Sequence, residues 1–281
     1  MIDLVWGILI IGLLSAMLLV GTLRVARSMS PRTANLLAIL IVAMMLAEGL
    51  LLHDNIALTH ILPVSNVIVL GNWSPLLVAA FAGILWWRVP GSTLRRAVVI
   101  GAIVVACLFT IYRPILSKPP EVKDRWSRGV CLQTSQASCS AAAAATLLSE
   151  YKIPTTEKEM SIVCLTSSRG TSMLGLYRGL KLMTAGKGLD VYMFENGTID
   201  DLRGMGPVLL TVELEEGAKV DLRYQSTWGW LPGVPHSVVV LGFPTADHAL
   251  VGDPATGAEL WTLGDLAVLW HGVGVKLVHD K

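Results

Sequence analysis

The chain has 281 residues, of which 53% are hydrophobic and 15% charged, with a net charge of +1 and a mean hydropathy of +0.60. That balance is too apolar for an ordinary soluble domain and implies a membrane portion. The Lys and Arg residues are dispersed, so the basic footprint that a nucleic-acid backbone requires is missing, and no nucleic-acid partner is expected.

The apolar excess lies in residues 1–115, and nearly all the acidic residues follow it. An uncharged run over 4–23 is long enough, at about 1.5 Å per residue, to cross a hydrocarbon core of roughly 30 Å. Asp3 stands where a signal peptide carries Lys or Arg, which favours an uncleaved span. A second span is expected over 34–52, with Glu48 near its end facing an interface or the bundle. A third, over 64–87, is interrupted by Asn72, Trp73, Ser74 and Pro75, and is expected to be either kinked or partly re-entrant. A fourth covers 97–112, completing a transmembrane region of about four helices over 1–115. Arg24, Arg27 and Arg32 follow span one, and Arg88, Arg95 and Arg96 follow span three. By the positive-inside rule these loops are cytoplasmic. With four spans the remainder of the chain then lies outside, as expected of a multi-pass protein of a bacterial inner membrane. Arg113, Lys118, Lys123, Arg125 and Arg128, after span four, weigh the other way.

Residues 116–128 are polar, contain Pro119 and Pro120, and read as a linker. A domain of ordinary size follows over 129–281. Its first helix is expected to begin at Cys139 or Ser140, since 141–145 is all alanine. Thr156 with Glu159 has capping-box spacing and opens a second helix. A third is expected near 173–183. Short apolar runs at 189–193, 208–214, 237–242, 249–251 and 273–278, separated by Gly, Pro and Asp, read as strands. Helices followed by strands predict an α+β domain.

A thiol hydrolase needs a thiolate, a base paired with it, a group that orients the base and donors for the oxyanion. Cys139 sits where a helix begins, and the partial positive charge of a helix N-terminus favours thiolate. Gln133 precedes it on a short loop and can point its amide at the same carbonyl oxygen as the Cys139 N–H. Gln136 competes for that role at a different spacing. His236 follows Pro235 and leads into an apolar strand, which would hold an imidazole firmly. Asp253 follows another short strand and precedes Pro254, where it serves as orienting group, turn former or both. Of the other histidines, His53 and His60 fall in the membrane region, His248 in a turn, and His271 and His279 near the C-terminus. None has metal-ligand spacing, so no metal or cofactor is expected. Cys131 and Cys164 are either a disulfide, which would suit an oxidising compartment, or two buried thiols.

These motifs together resemble the papain-like cysteine peptidases that remove double-glycine leaders from bacteriocin precursors. The resemblance covers roughly 130–278. It rests on the 133–139 block with its alanine helix, on Gly170-Thr171-Ser172, on the strand from Pro235 through Gly242, on the turn from Asp253 through Gly257, and on Leu269-Trp270-His271-Gly272. It implies a papain-like fold and peptidase activity on peptide or protein substrates, with Gln133 as oxyanion donor, Cys139 as nucleophile, His236 as base and Asp253 as orienting residue. Ser140 is a departure, because the family usually has Gly after the cysteine. The membrane region is another, and no Walker-type phosphate loop accompanies it, so no nucleotide is expected. The residues are also compatible with a catalytically silent peptide-binding module on a membrane anchor. A thiol acyltransferase or amidase is a further alternative.

Overall fold

The computed structural model describes residues 1–52, 54–116 and 118–280, and forms two compact units, Met1–Leu116 and Ser117–Lys281. His53 lies outside the described residues.

The first unit is helical: α1 (Ile2–Ala26), α2 (Pro31–Ala47) running into a π-helical turn (Glu48–Leu52), α3 (Ala57–Ile61), α4 (Val67–Leu70), α5 (Ser74–Arg88) and α6 (Thr93–Leu116). Three helical stretches among the described residues, Ile2–Ala26, Pro31–Leu51 and Val67–Arg88, are long and apolar enough to cross a membrane. The fourth expected span lies within α6, which is not among those three. The interruption at 72–75 is a break between α4 and α5, with Pro75 in the first turn of α5, where its missing N–H costs nothing. Glu48 crosses to that break, accepting from Ser74 Oγ at 2.6 Å and from the Trp73 N–H at 3.3 Å. Its carboxylate thus caps a helix start, which accounts for a charge in an apolar segment. Gly83 lets α1 and α5 approach closely: a Cβ there would stand 2.0 Å from Thr22 Oγ1.

The second unit is α+β. Strands β1 (Arg125–Ser127) and β2 (Val130–Leu132) form a hairpin, followed by α7 (Cys139–Glu150), α8 (Glu157–Val163) and α9 (Met173–Thr184). Then come β3 (Leu189–Phe194), α10 (Ile199–Arg203), β4 (Val208–Val212), α11 (Arg223–Ser226), β5 (His236–Gly242), β6 (His248–Asp253), β7 (Gly257–Thr262), α12 (Leu263–Leu269) and β8 (Trp270–His279). The six long-range strands make an antiparallel sheet in the order β3-β8-β4-β5-β6-β7. Part of the segment expected to be linker belongs to this unit. Strand β1 pairs with β2, Lys123 N–H donates to Thr134 Oγ1 at 2.8 Å, and Asp124 Oδ1 accepts from Glu157 N–H at 3.0 Å.

The alanine run makes α7 a central rod: residues 140–148 are all buried, and the helix packs on β5, β2 and α8. Small side chains let its axis come close to the sheet. Gly252 on β6 contributes, since a Cβ there would touch Val130 at 3.1 Å and Thr146 at 3.5 Å. Helix α8 carries the capping box, with Thr156 and Glu159 exchanging backbone hydrogen bonds at 3.1 Å each.

Cys131 and Cys164 are separate buried thiols, so no disulfide bears on the compartment. Cys164 fills a notch that two glycines of α9 leave open. A Cβ on Gly179 would stand 2.2 Å from its sulfur, and one on Gly175 would stand 2.4 Å from its carbonyl oxygen. Gly179→Ala is therefore expected to overpack the α8–α9 contact and destabilise the second unit by about 1–3 kcal/mol. The check is a lowered thermal midpoint, with Cys164 becoming reactive to a thiol dye at a lower temperature than in wild type.

Candidate functional site

Cys139 is the first residue of α7, and the loop before it is tied down by its own hydroxyls. Ser138 Oγ donates to the Ser135 carbonyl at 2.8 Å and accepts from the Ser135 N–H at 3.2 Å. The thiol thus stands at the positive end of a helix dipole, and it is only partly exposed. His236 opens β5, the strand on which α7 packs. The register Val239↔Gly252 sets Asp253 opposite Val238, two positions along β5 from His236 and on the same face, the diagonal distance that long side chains can span. The Asp253 carboxylate lies 2.8 Å from His236 Nε2 and is itself fixed by the Ala255 N–H at 2.7 Å. That leaves the Nδ1 side of the ring for the thiol, and His236 and Cys139 are close enough for their charges to act on one another.

The electrostatics follow from this sandwich. Burial lowers the pKa of His236, but the hydrogen bonds and charges of Asp253 and Cys139 outweigh burial and raise it from 6.5 to about 9. Burial also works against ionisation of Cys139. The hydrogen bond and charge of His236, the Ser140 hydroxyl and the Ser237 N–H more than offset it, leaving the thiol below its ordinary value. Cys131 and Cys164 go the opposite way, each pushed up to about 12 chiefly by burial. Among the three cysteines of this unit, only Cys139 is poised to react.

Gln133 lies on the rim of the same cleft. Its N–H donates to the Pro254 carbonyl at 2.8 Å, so the loop before Cys139 is fastened to the turn after Asp253. Its side-chain Nε2 donates to the Ser135 carbonyl at 3.3 Å. One amide hydrogen is thereby used within the loop, and the second is left for another acceptor. Behind it, the fully buried Glu157 carboxylate accepts from the Thr134 N–H and hydroxyl at 2.7 Å each. Gln136 also lines the cleft.

The cleft holds about 1100 Å³, and one wall is aromatic. The Trp230 ring stands edge-on to His236 and to Trp261, each with centroids 5.9 Å apart. Trp228, Leu231 and Val234, all exposed, extend that wall outward. The sequence reading missed these residues. The signal was the Trp228-Gly229-Trp230 triplet just before Pro235-His236. It also missed the 2.9 Å contact between the hydroxyls of Ser140 and Ser237. Among the described residues no cluster of His, Cys, Asp or Glu could hold a metal ion.

No family model matches the chain, and no curated protein matches it. Solved structures that resemble part of it include peptidase domains of transporters. A double-glycine-motif protease from an AMS/PCAT transporter, solved with a leader peptide, is 18% identical, covering 58% of this chain and 97% of its own at a TM-score of 0.42. The peptidase domain of Streptococcus ComA, a bi-functional ABC transporter, is 16% identical, with coverages of 53% and 96% and a TM-score of 0.40. That of Streptococcus mutans ComA is 16% identical, with coverages of 53% and 98% and a TM-score of 0.36. Likenesses this distant assign no activity.

The pKa shifts make a test. The raised His236 pKa contributes folded-state stability that is complete below about 6.5 and lost as pH rises through about 9. The lowered Cys139 contributes stability that is present at alkaline pH and lost as pH falls through its depressed value. The thiolate–imidazolium pair therefore exists between the two. Alkylation of Cys139 should begin well below the pH of an ordinary thiol and persist above pH 9, whereas any turnover that needs the His236 proton should fall off near 9. Iodoacetamide labelling followed by peptide mass spectrometry would measure the first, and a pH–rate profile the second.

Proposed function

We propose that the second unit is a papain-like cysteine peptidase, membrane-anchored through the first unit. The observation that carries this reading is the position of His236, hydrogen-bonded to Asp253 and sharing with it and Cys139 the lining of one cleft large enough for a peptide. Cys139 thiolate attacks the scissile carbonyl carbon, and a carbon–sulfur bond forms as the carbonyl π-electrons move onto oxygen. Gln133 Nε2–H and the Cys139 N–H donate to that oxyanion. The His236 imidazolium then protonates the leaving amine, which departs and leaves a thioester. Neutral His236 takes a proton from water, the hydroxide displaces the thiolate, and the acid product leaves. Asp253 holds the ring in the tautomer that presents Nδ1 to sulfur and stabilises its cation.

The substrate class we propose is leader peptides or protein tails, for which the peptide-sized cleft beside Cys139 is the support. Anchoring follows from the apolar helices, and sidedness turns on α6. If α6 spans the bilayer, the arginine loops put the peptidase on the outer face. If it does not, they put it inside.

Turnover of a fluorogenic leader peptide by the full-length protein in detergent tests the assignment. Cys139→Ala should abolish cleavage, and Gln133→Ala should lower kcat about 10²–10³-fold, the effect of losing one oxyanion donor. Asp253→Ala should cost about 10²–10⁴-fold, with Asp253→Asn retaining more, since its amide oxygen still accepts from Nε2. Tight peptide binding without cleavage, in protein whose Cys139 labels as slowly as an ordinary thiol, would replace this reading with a binding module.

A further inference from the structure

One residue beyond Cys139 and one beyond His236, two serines meet. Ser140, on the first turn of α7, and Ser237, the second residue of β5, are both buried, 9% and 4% exposed, with their hydroxyl oxygens 2.9 Å apart. Ser140 Oγ also lies 3.9 Å from Cys139 Sγ, at the outer reach of a sulfur hydrogen bond. Resting on the peptidase reading, we infer that Ser140 and Ser237 are positioning residues: a hydroxyl clamp that holds the head of α7 against β5 and presents the Ser140 hydrogen to the Cys139 thiolate.

Each hydroxyl has one hydrogen to give and two lone pairs to receive. If Ser140 donated to Ser237, the sulfur would gain nothing from the pair. If Ser237 donates to Ser140, the Ser140 hydrogen is released for sulfur, and a donor already receiving a hydrogen bond is itself strengthened. A thiolate is a far better acceptor than a thiol, so ionisation of Cys139 selects the second order. Ser140 stands where the family that the sequence resembles usually has glycine. Glycine could not make the clamp.

A hydroxyl at this range is expected to be worth about 0.5–1 pH unit in the midpoint of Cys139 ionisation. The test is the pH dependence of iodoacetamide alkylation at Cys139 in the full-length protein in detergent, read by mass spectrometry of the Cys139 peptide, with folding checked by circular dichroism. Ser140→Ala should raise the midpoint by that amount. Ser237→Val should raise it less, Ser237→Thr, which has the same shape as Val but keeps the hydroxyl, should match wild type, and the Ser140→Ala/Ser237→Val double variant should equal Ser140→Ala alone. A midpoint unmoved by Ser140→Ala, or Thr and Val behaving alike at 237, overturns the clamp. His236→Ala separates this failure from that of the parent reading. If His236→Ala shifts the midpoint and Ser140→Ala does not, only the clamp falls; if wild type already titrates as an ordinary thiol and His236→Ala changes nothing, the peptidase reading falls with it.

Discussion

The imidazole of His236 has an acid committed to it and a second one beside it. Asp253 takes Nε2 and Cys139 adds its charge, so a half-buried histidine that burial alone would strip of its proton instead keeps it to about pH 9. Much of the second unit can be understood as the means of holding that ring between two acids. The β5–β6 register brings the carboxylate to one side, α7 brings the sulfur to the other, and Trp230 stands against the ring's edge. The buried-thiol environment would ordinarily suppress ionisation, as it does at Cys131 and Cys164. The charge opposite Cys139 reverses the sign.

The loop before the nucleophile shows how polar groups are made rigid without a disulfide. Gln133 is joined by its main chain to the Pro254 carbonyl, and Thr134 is held by the buried Glu157. Asp124 holds the N–H of Glu157 in turn. Each link satisfies a donor that would otherwise cost free energy on burial. The loop, the turn after Asp253 and the start of α8 are thereby one network, and displacing any of them would strand a partner in the others.

What could be read from the sequence was whatever depends on local pattern. Alanines 141–145 announce α7, the Thr156 and Glu159 pair announces α8, and Pro235 before an apolar run announces β5. Cys139, His236 and Asp253 were legible because each sits at an element's end, where side chains converge. The missing pieces depend on contacts between distant residues or on elements too short to show a period. Strand β1 is Arg-Trp-Ser, with no alternation to see, and β7 includes a glycine and an exposed Leu260. Residues 123–127 look like linker because their partners, Thr134, Glu157 and β2, are supplied only by the fold. The partner of Glu48, Ser74, lies 26 positions along the chain and is likewise supplied only by the fold. Ser140 and Ser237, 97 positions apart, offer no pairing signal at all.

The alanine helix carries a consequence for how this protein can vary. Low-complexity stretches usually tolerate exchange because little depends on them. Here each methyl group faces packed neighbours on every side of a helix with no solvent-facing stripe between Ser140 and Leu148. Any larger side chain must be accommodated by moving the helix, and the helix's first residue is the nucleophile. The most generic-looking letters in the sequence are therefore among its least replaceable, and mutational drift in this lineage should be slow where the composition is most monotonous.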